Sequence, residues 1–318
     1  MSSSLVTVIC LCYNHANYLR EAIESVLNQT YQRVQIIVVD DASTDGSVQE
    51  INGLKASHPS LELMLLSRNV GNCKAFNAAL KLVRGEYIVD FATDDVMMPN
   101  RIERQLDFFT SHNESVGVVF TDAIYIDKDG KSFRNHYEYL KRKRLLDVVP
   151  QGDVYCDVLA RYFIASPTMM MKREVIETLN GYDEDLAYED FDFWVRSSRL
   201  YEYTFLDERL TKIRRTGHSM SSGWYVPGDK QLHSTYLVCK KASLLNRNDA
   251  ERQALIRRVR YEFRQSVFSE NSIEANLFYA FLVELQGTSF LNSLFFVANK
   301  LHLPLSFLRR AYHKVRFS

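Results

Sequence analysis

The chain has 318 residues, 46% of them hydrophobic, enough for one large domain or two ordinary ones with a real core. Its 39 lysines and arginines balance 39 aspartates and glutamates, so the overall charge predicts no nucleic acid or other polyanion as partner and leaves electrostatic function to local clusters. The N-terminus MSSSLVTVIC lacks a basic stretch followed by a long apolar core, which predicts no signal peptide and a cytoplasmic location.

Residues 5–12, LVTVICLC, form the short continuous apolar run of a strand buried on both faces. Cys10 and Cys12 lie two apart in it, and none of the five cysteines makes a CxxC pair, so buried reduced thiols are expected rather than a zinc site. In the next stretch Leu19, Ala22, Ile23, Val26 and Leu27 recur at helical spacing behind candidate caps Asn14 and Asn17. QIIVVDDASTDGS repeats the strand, and its tail offers capping side chains to a helix over about 47–57. LELMLLS gives a third strand, Ala75, Ala78, Ala79, Leu82 and Val83 a third helical stripe, and YIVDF a fourth strand. Four strands alternating with three helices predict a mostly parallel α/β sheet covered on both faces. Ligands of such sheets bind at the carboxyl ends of the strands.

Both acidic pairs fall at that edge. Asp40 and Asp41 end IIVV, and Asp94 and Asp95 follow YIVDF. Helix capping accounts equally well for Ser43, Asp45 and Asp40, but less well for the second pair. Two carboxylates about 5 Å apart repel by roughly 3 kcal/mol at an effective dielectric near 20, and partial enclosure adds a desolvation cost. A hard cation removes both, and Mg²⁺ or Mn²⁺ held by one or two carboxylates usually completes its shell with substrate phosphates. The chain has neither GxGxxG after its first strand nor GxxxxGK[ST] anywhere, so a metal would have to hold the phosphate. DKDG at 127–130 has the wrong spacing for a calcium loop and reads as a hairpin turn.

In GYDEDLAYEDFDFWVR, Phe191, Trp194 and Val195 fit one helix face, with Glu189 and Asp190 at its start, where the helix dipole favours negative charge. RRTGHSMSSG at 214–223 reads either as a solvated basic loop or as a lid with Gly217 and Gly223 as flexible ends. KRKR at 141–144 has no interleaved aromatics and reads as a solvated loop. Residues 226–318 differ in character, being helical and rich in aromatics and arginine. Glu284, Gln286, Gly287 and Asn292 interrupt the apolar run 277–296, which predicts two packed amphipathic helices rather than a membrane span. The tail, with Arg309, Arg310, Lys314 and Arg316, suits either an anionic membrane surface or packing on the first domain or a homodimer partner. The expected division is 1–225 and 226–318.

Together VTVICLCYNHANYLREAIESVLNQTY, IIVVDDASTDGS, RNVGNCKAFNAAL, GEYIVDFATDDVMMPNRIERQ and GYDEDLAYEDFDFWVR resemble a family 2 inverting glycosyltransferase with the Rossmann-like GT-A fold, over roughly residues 5–220. The resemblance implies transfer of a sugar from a nucleotide-diphosphate donor, with UDP the expected nucleotide and Mn²⁺ or Mg²⁺ as metal. The acceptor hydroxyl would belong to a glycan or lipid-linked glycan in bacterial surface-polysaccharide assembly, on the cytoplasmic face of the membrane. Residue by residue, it implies that Leu11, Tyr13 and Asp41 line the base and that Arg68 lies near the nucleotide. Asp94 and Asp95 match the DxD-type motif, with Asp95 as metal ligand and Asp94 toward ribose or metal. Asp190 matches the general base and Glu189 the acceptor-holding acid. Arg214 and Arg215 would reach phosphate, and His218 would complete the metal shell. Many relatives write DxDD where this chain has Ala92-Thr93-Asp94-Asp95, so the first acid is absent. That departure keeps open a nucleotide-sugar-binding protein without turnover. A sugar-phosphate nucleotidylyltransferase would need a glycine-rich basic loop, and residues 11–20 hold no glycine.

Overall fold

The structure, a computed structural model, describes residues 4–216, 225–303, 305 and 306. His218, Gly217, Gly223 and the four tail cations lie outside these residues.

The first half of the chain alternates as its apolar runs predict. The strands are β1 (Val6–Cys12), β2 (Val34–Asp40), β3 (Glu62–Leu65) and β4 (Tyr87–Ala92), separated by α1 (Ala16–Leu27), α2 (Ser47–Ser57) and α3 (Asn72–Leu80). β1 pairs in parallel with β2 and β4, and β2 with β3. All seven residues of β1 are buried, as a central parallel strand requires. Its alternation sends Val6, Val8, Cys10 and Cys12 to the layer holding α1 and α2, and Ile9 and Leu11 to the opposite layer under α3. The cysteines are free thiols.

The second half extends the sheet in a way that periodicity did not predict. After the two-residue β5 (Val96–Met97) and α4 (Arg101–Thr110), the chain forms β6 (Val116–Ile126), β7 (Ser132–Asn135), α5 (His136–Arg142) and α6 (Tyr155–Ala160). β8 (Met170–Lys172), α7 (Arg173–Thr178), α8 (Asp190–Ser197) and β9 (Glu202–Arg214) complete it. The nine-stranded sheet runs β3-β2-β1-β4-β8-β6-β9-β5, with β7 on β6. β8 is antiparallel to both β4 and β6, while β6 and β9 form a long parallel ladder, so the sheet is mixed. The DKDG segment is a hairpin turn between β6 and β7, with Asp127 Oδ1 accepting from the amides of Asp129 and Lys131.

Among the described residues four helices follow, α9 (Lys230–Leu245), α10 (Asp249–Phe268), α11 (Ser272–Glu284) and α12 (Phe290–Lys300). They are continuous with the core above the sheet: Leu232, Val238, Phe263 and Phe278 belong to the same apolar cluster as Ile9 and Phe76. Buried Arg258 donates to the Leu159 carbonyl (3.0 Å) and pairs with Glu262 (3.1 Å), fixing α10 to α6. Tyr279 of α11 stacks on Phe296 of α12 with centroids 3.9 Å apart. No helix among the described residues is long and apolar enough to cross a membrane.

Candidate active site

Strand order reverses at β1, because β2 leaves it on one side and β4 on the other. A crevice opens at such a switch point. The three strand ends are in lateral register, Cys12 opposite Asp40 and Leu11 opposite Ala92, so the loops that follow converge on one rim. Leu11 is buried at that rim, and Tyr13, 45% exposed, follows it. The loops are tied together by amides: Asn14 N donates to Ser43 Oγ (2.9 Å), Thr44 N to Asn14 Oδ1 (2.7 Å) and Ala16 N to Asp45 Oδ2 (3.0 Å). Ser43 and Asp45 therefore brace loops, and Asp40 closes its own turn by accepting from Ser43 N (2.9 Å).

Asp41 behaves differently. Its two oxygens accept from the amides of Val70 (2.7 Å) and Gly71 (2.9 Å), which pins the loop carrying exposed Arg68 to the rim just before α3. Each oxygen keeps a lone pair for a further donor.

Asp94 and Asp95 occupy the turn between β4 and β5. Asp94 is half-buried and Asp95 is 3% exposed. Burial first, then the charge of Asp94, pushes the Asp95 carboxyl well above the usual range, against the Arg214 amide and the charges of Arg215 and Arg101. Arg214, expected at phosphate, packs on this turn. Its backbone N–H donates to Asp95 Oδ1 (2.8 Å), its Nε to the Asp94 carbonyl (2.9 Å) and its Nη2 to Glu21 (2.6 Å), and its guanidinium lies over Tyr18. Only 3% exposed, Arg214 is a clamp for the acid pair. Arg215 remains partly exposed and packs on Tyr125.

A second acidic group forms on the layer above the sheet. Glu189 is the N-cap residue of α8 but makes no side-chain capping hydrogen bond, which weakens the purely structural reading of the pair. Glu189 Oε2 is sealed from solvent without a hydrogen-bond partner, and burial raises the carboxyl above the usual range, opposed in part by the Asn72 side chain. Burial and the charge of Glu189 push Asp190 up to about 8, opposed by the Ser166 hydroxyl. α8 is held by Asp192, 1% exposed, which pairs with Arg196 (2.6 Å) and Lys241 (2.7 Å).

Residues 7–179 match the family model described as Glycosyl transferase family 2. The chain belongs to glycosyl transferase family 2. An uncharacterized glycosyltransferase of Rickettsia prowazekii is 31% identical over 216 residues, 67% of this chain and 64% of that protein. One of Methanocaldococcus jannaschii is 28% identical over 222 residues, 67% of this chain and 72% of that protein. This chain thus spans less than two thirds of the Rickettsia protein, and 34% of a Rickettsia conorii relative. Among solved structures, S. aureus TarS 1-349 in complex with UDP-GlcNAc superposes with a TM-score of 0.71 at 19% identity, covering 96% of this chain and 92% of that 1-349 chain. The mannosyltransferase PcManGT from Pyrobaculum calidifontis, in complex with GDP-Man and Mn²⁺, gives 0.61 at 18% identity, covering 98% and 84%. These likenesses establish the GT-A fold.

Within this family 2 fold the rim group (Leu11, Tyr13, Asp41, Asp94, Asp95) and the α8 group (Glu189, Asp190) come from strand ends and a helix start that the sequence keeps far apart. The donor set at the rim suits a hard divalent cation: two adjacent carboxylates, one of them buried and disfavoured as an anion until a positive charge arrives. No group of three or more His, Cys, Asp or Glu that could hold a metal occurs among the described residues, so substrate oxygens and water would supply the rest of a shell.

Sequence reasoning missed several residues. Asp90 of β4 accepts a hydrogen bond from Tyr182 Oη (3.0 Å), and burial, then Glu189, raises its carboxyl well above the usual range. A lone acid inside the apolar run YIVDF was the available signal, since an unpaired Asp is rarely placed in a core strand. Arg101 is fully buried at the start of α4 and acts on Asp95, and nothing in an amphipathic helix pattern marks it. A cavity of about 730 Å³ is bounded by Asn72, Glu184, Ala187, Asp229, His233 and Glu274, with Ala187 two residues before Glu189 in the chain.

Proposed function

We propose that this chain is an inverting glycosyltransferase that moves a sugar from a nucleotide-diphosphate donor, with UDP as the nucleotide, to a hydroxyl of a glycan or lipid-linked glycan. The observation that carries the proposal is Asp190: a carboxyl pushed up to about 8, at a helix start, in the same chain as a rim of acids at the switch point of the sheet. A carboxyl so placed is a base matched to mildly alkaline pH.

Tyr13 and Leu11 offer an apolar edge for the base and Asp41 an acceptor for its N–H. Asp95 and Asp94 would hold Mn²⁺ or Mg²⁺, which when bound offsets charge developing on the departing diphosphate. Arg214 holds the Asp95 carboxylate through its backbone N–H and the Asp94 backbone through its guanidinium. Asp190 takes the proton of the acceptor hydroxyl as its oxygen attacks the anomeric carbon in line, opposite the leaving group. The cavity bounded by Asn72 and Ala187 is a route for the acceptor, because Asn72 also acts on Glu189. Its wall carries Glu184, Asp229 and Glu274, which favours an uncharged glycan there. The exposed face of α12, with Phe290, Leu294 and Val297, and its C-cap Leu301 precede a tail sequence containing four cations, and this pairing supports docking on an anionic membrane surface.

The test is a thermal-shift panel of UDP-, GDP- and dTDP-sugars with and without Mn²⁺, followed by nucleotide release with the donor that binds. Asp190→Asn should keep the donor-induced shift and lose turnover by about 10²- to 10⁴-fold. No shift with any donor would overturn the proposal, and binding without turnover in the unsubstituted protein would favour a nucleotide-sugar-binding protein.

A further inference from the structure

Tyr125 of β6 lies directly across the ladder from Arg134 of β7, and cross-strand neighbours of this kind bring their side chains together. The Arg134 guanidinium accordingly lies over the Tyr125 ring, 4.4 Å from its centroid, and over Tyr139 of α5 at 4.3 Å. Arg215 reaches the same Tyr125 ring, at 4.8 Å, because β6 and β9 run in parallel register and Arg215 N donates to the Ile126 carbonyl (2.8 Å). Two guanidinium groups thus share one ring. Arg142 approaches the second ring, Tyr139, at 5.9 Å.

Acids do not balance Arg134. Among the described residues its guanidinium makes no ion pair and no hydrogen bond, and its Nε is sealed from solvent without a partner. The acids of the two flanking elements are engaged elsewhere. Asp122 of β6 accepts from the amides of Ala123 (2.8 Å) and Tyr137 (3.0 Å), and Glu138 of α5 accepts from Asn135 Nδ2 (2.7 Å). The adjacent imidazole is also committed. Burial, then the charges of Arg134 and Arg215, hold His136 below its usual value against the Phe163 carbonyl and Asp122. As a neutral ring it donates from Nε2 to the Phe163 carbonyl (2.8 Å) and accepts at Nδ1 from the Tyr125 hydroxyl (3.0 Å).

This cluster adjoins the rim. Arg214, one peptide before Arg215, donates its N–H to Asp95 Oδ1 (2.8 Å). Asp94 and Asp95 together match the charge of one divalent cation, and the Arg214 guanidinium is paired with Glu21. A diphosphate arriving at the rim would therefore keep its own negative charge and need cations that no acid already holds. We propose that Arg134, held on Tyr125 beside Arg215, is an oxyanion-binding residue at this end of the transfer site, with a phosphate group as its ligand. The guanidinium presents a planar fork of donors that matches phosphate oxygens in parallel hydrogen bonds, while the two rings hold its plane. That phosphate belongs either to the donor's diphosphate or to the acceptor, and the same oxygens are recognised in both.

The probe is inorganic phosphate, read by thermal shift at low ionic strength, where such contacts are least screened. Phosphate should raise the melting temperature of the unsubstituted protein. Its affinity should fall about ten- to a hundredfold in Arg134→Gln and by less in Arg134→Lys, which keeps the charge but not the fork. The melting temperature of each variant without phosphate reads the packing lost on Tyr125 and Tyr139 separately. Arg215→Gln should weaken phosphate binding by a similar factor, which keeps the site testable if Arg134→Gln does not fold. Repeating the titration with saturating UDP and Mn²⁺ identifies the source: binding abolished by UDP assigns the site to the donor's diphosphate, and binding that persists assigns it to a phosphate on the acceptor. No phosphate binding, or equal affinity in the unsubstituted protein and both glutamine variants, would overturn the inference. Only the source of the phosphate rests on the transferase reading. The absence of a shift with every nucleotide sugar would overturn that reading, while phosphate binding lost in Arg134→Gln would leave the oxyanion site standing.

Discussion

Replacing Glu189 by Gln should move the acid limb of turnover to lower pH. Asp190 is pushed from an ordinary carboxyl value up to about 8 by burial first and by the negative charge of Glu189 second. With a limb at about 8, roughly one tenth of the base is ionised at pH 7 and nine tenths at pH 9, so kcat/KM should rise nearly tenfold across that interval. Glutamine is nearly isosteric with glutamate and uncharged, so burial is unchanged and only the charge is lost. A unit charge about 5–7 Å away at an effective dielectric near 20 is worth about 2–3 kcal/mol, or up to roughly 2 pH units. A limb between about 6 and 7 is therefore expected, with a several-fold gain in the ionised fraction at neutral pH, offset in part by the weaker basicity of the group. Because Glu189 also stands where the acceptor hydroxyl would be held, KM for acceptor should rise while KM for donor stays. The assay is nucleotide release at saturating donor from about pH 5.5 to 9.5. A limb that stays in place in Glu189→Gln, or a flat profile in the unsubstituted protein, would refute the coupling between the two acids.

Asp95→Asn should abolish the Mn²⁺-dependent part of the donor-induced thermal shift, a part worth about 2.7 kcal/mol when ligand is present at about 100 times its Kd. An unchanged metal dependence would show that the acid pair is not the metal site. Gly181→Ala places a side chain at φ +83° and a Cβ 2.5 Å from Asn77 Oδ1, so stability should fall by about 1–3 kcal/mol in chemical denaturation.

Much of the first half was legible because its signal is local. β1 to β4 and their intervening helices follow continuous apolar runs, helical stripes and turn residues, and α2 begins and ends where its sequence predicts, although α3 stops at Leu80, short of Leu82 and Val83. The second half was not, because β8 has three residues and β5 two, too short to carry a period, and their antiparallel pairing depends on partners distant in the chain. Arg214 shows the same limit at the site. Its position in RRTGHSMSSG pointed outward to phosphate, yet the side chain turns back across 120 residues to the Asp94 carbonyl.

By itself the sequence determined the family, the four-strand parallel core and the edge at which Asp41, Asp94 and Asp95 emerge, since periodicity and the order of acids along strands survive without coordinates. Tertiary structure alone decided that Arg214 packs back on the Asp94–Asp95 turn and that Glu189 Oε2 lacks a donor. It also decided that Asp90 meets Tyr182 across 92 residues of chain. Protonation and hydrogen bonding depend on burial and on separations of a few ångströms, and those are set only when distant segments pack together.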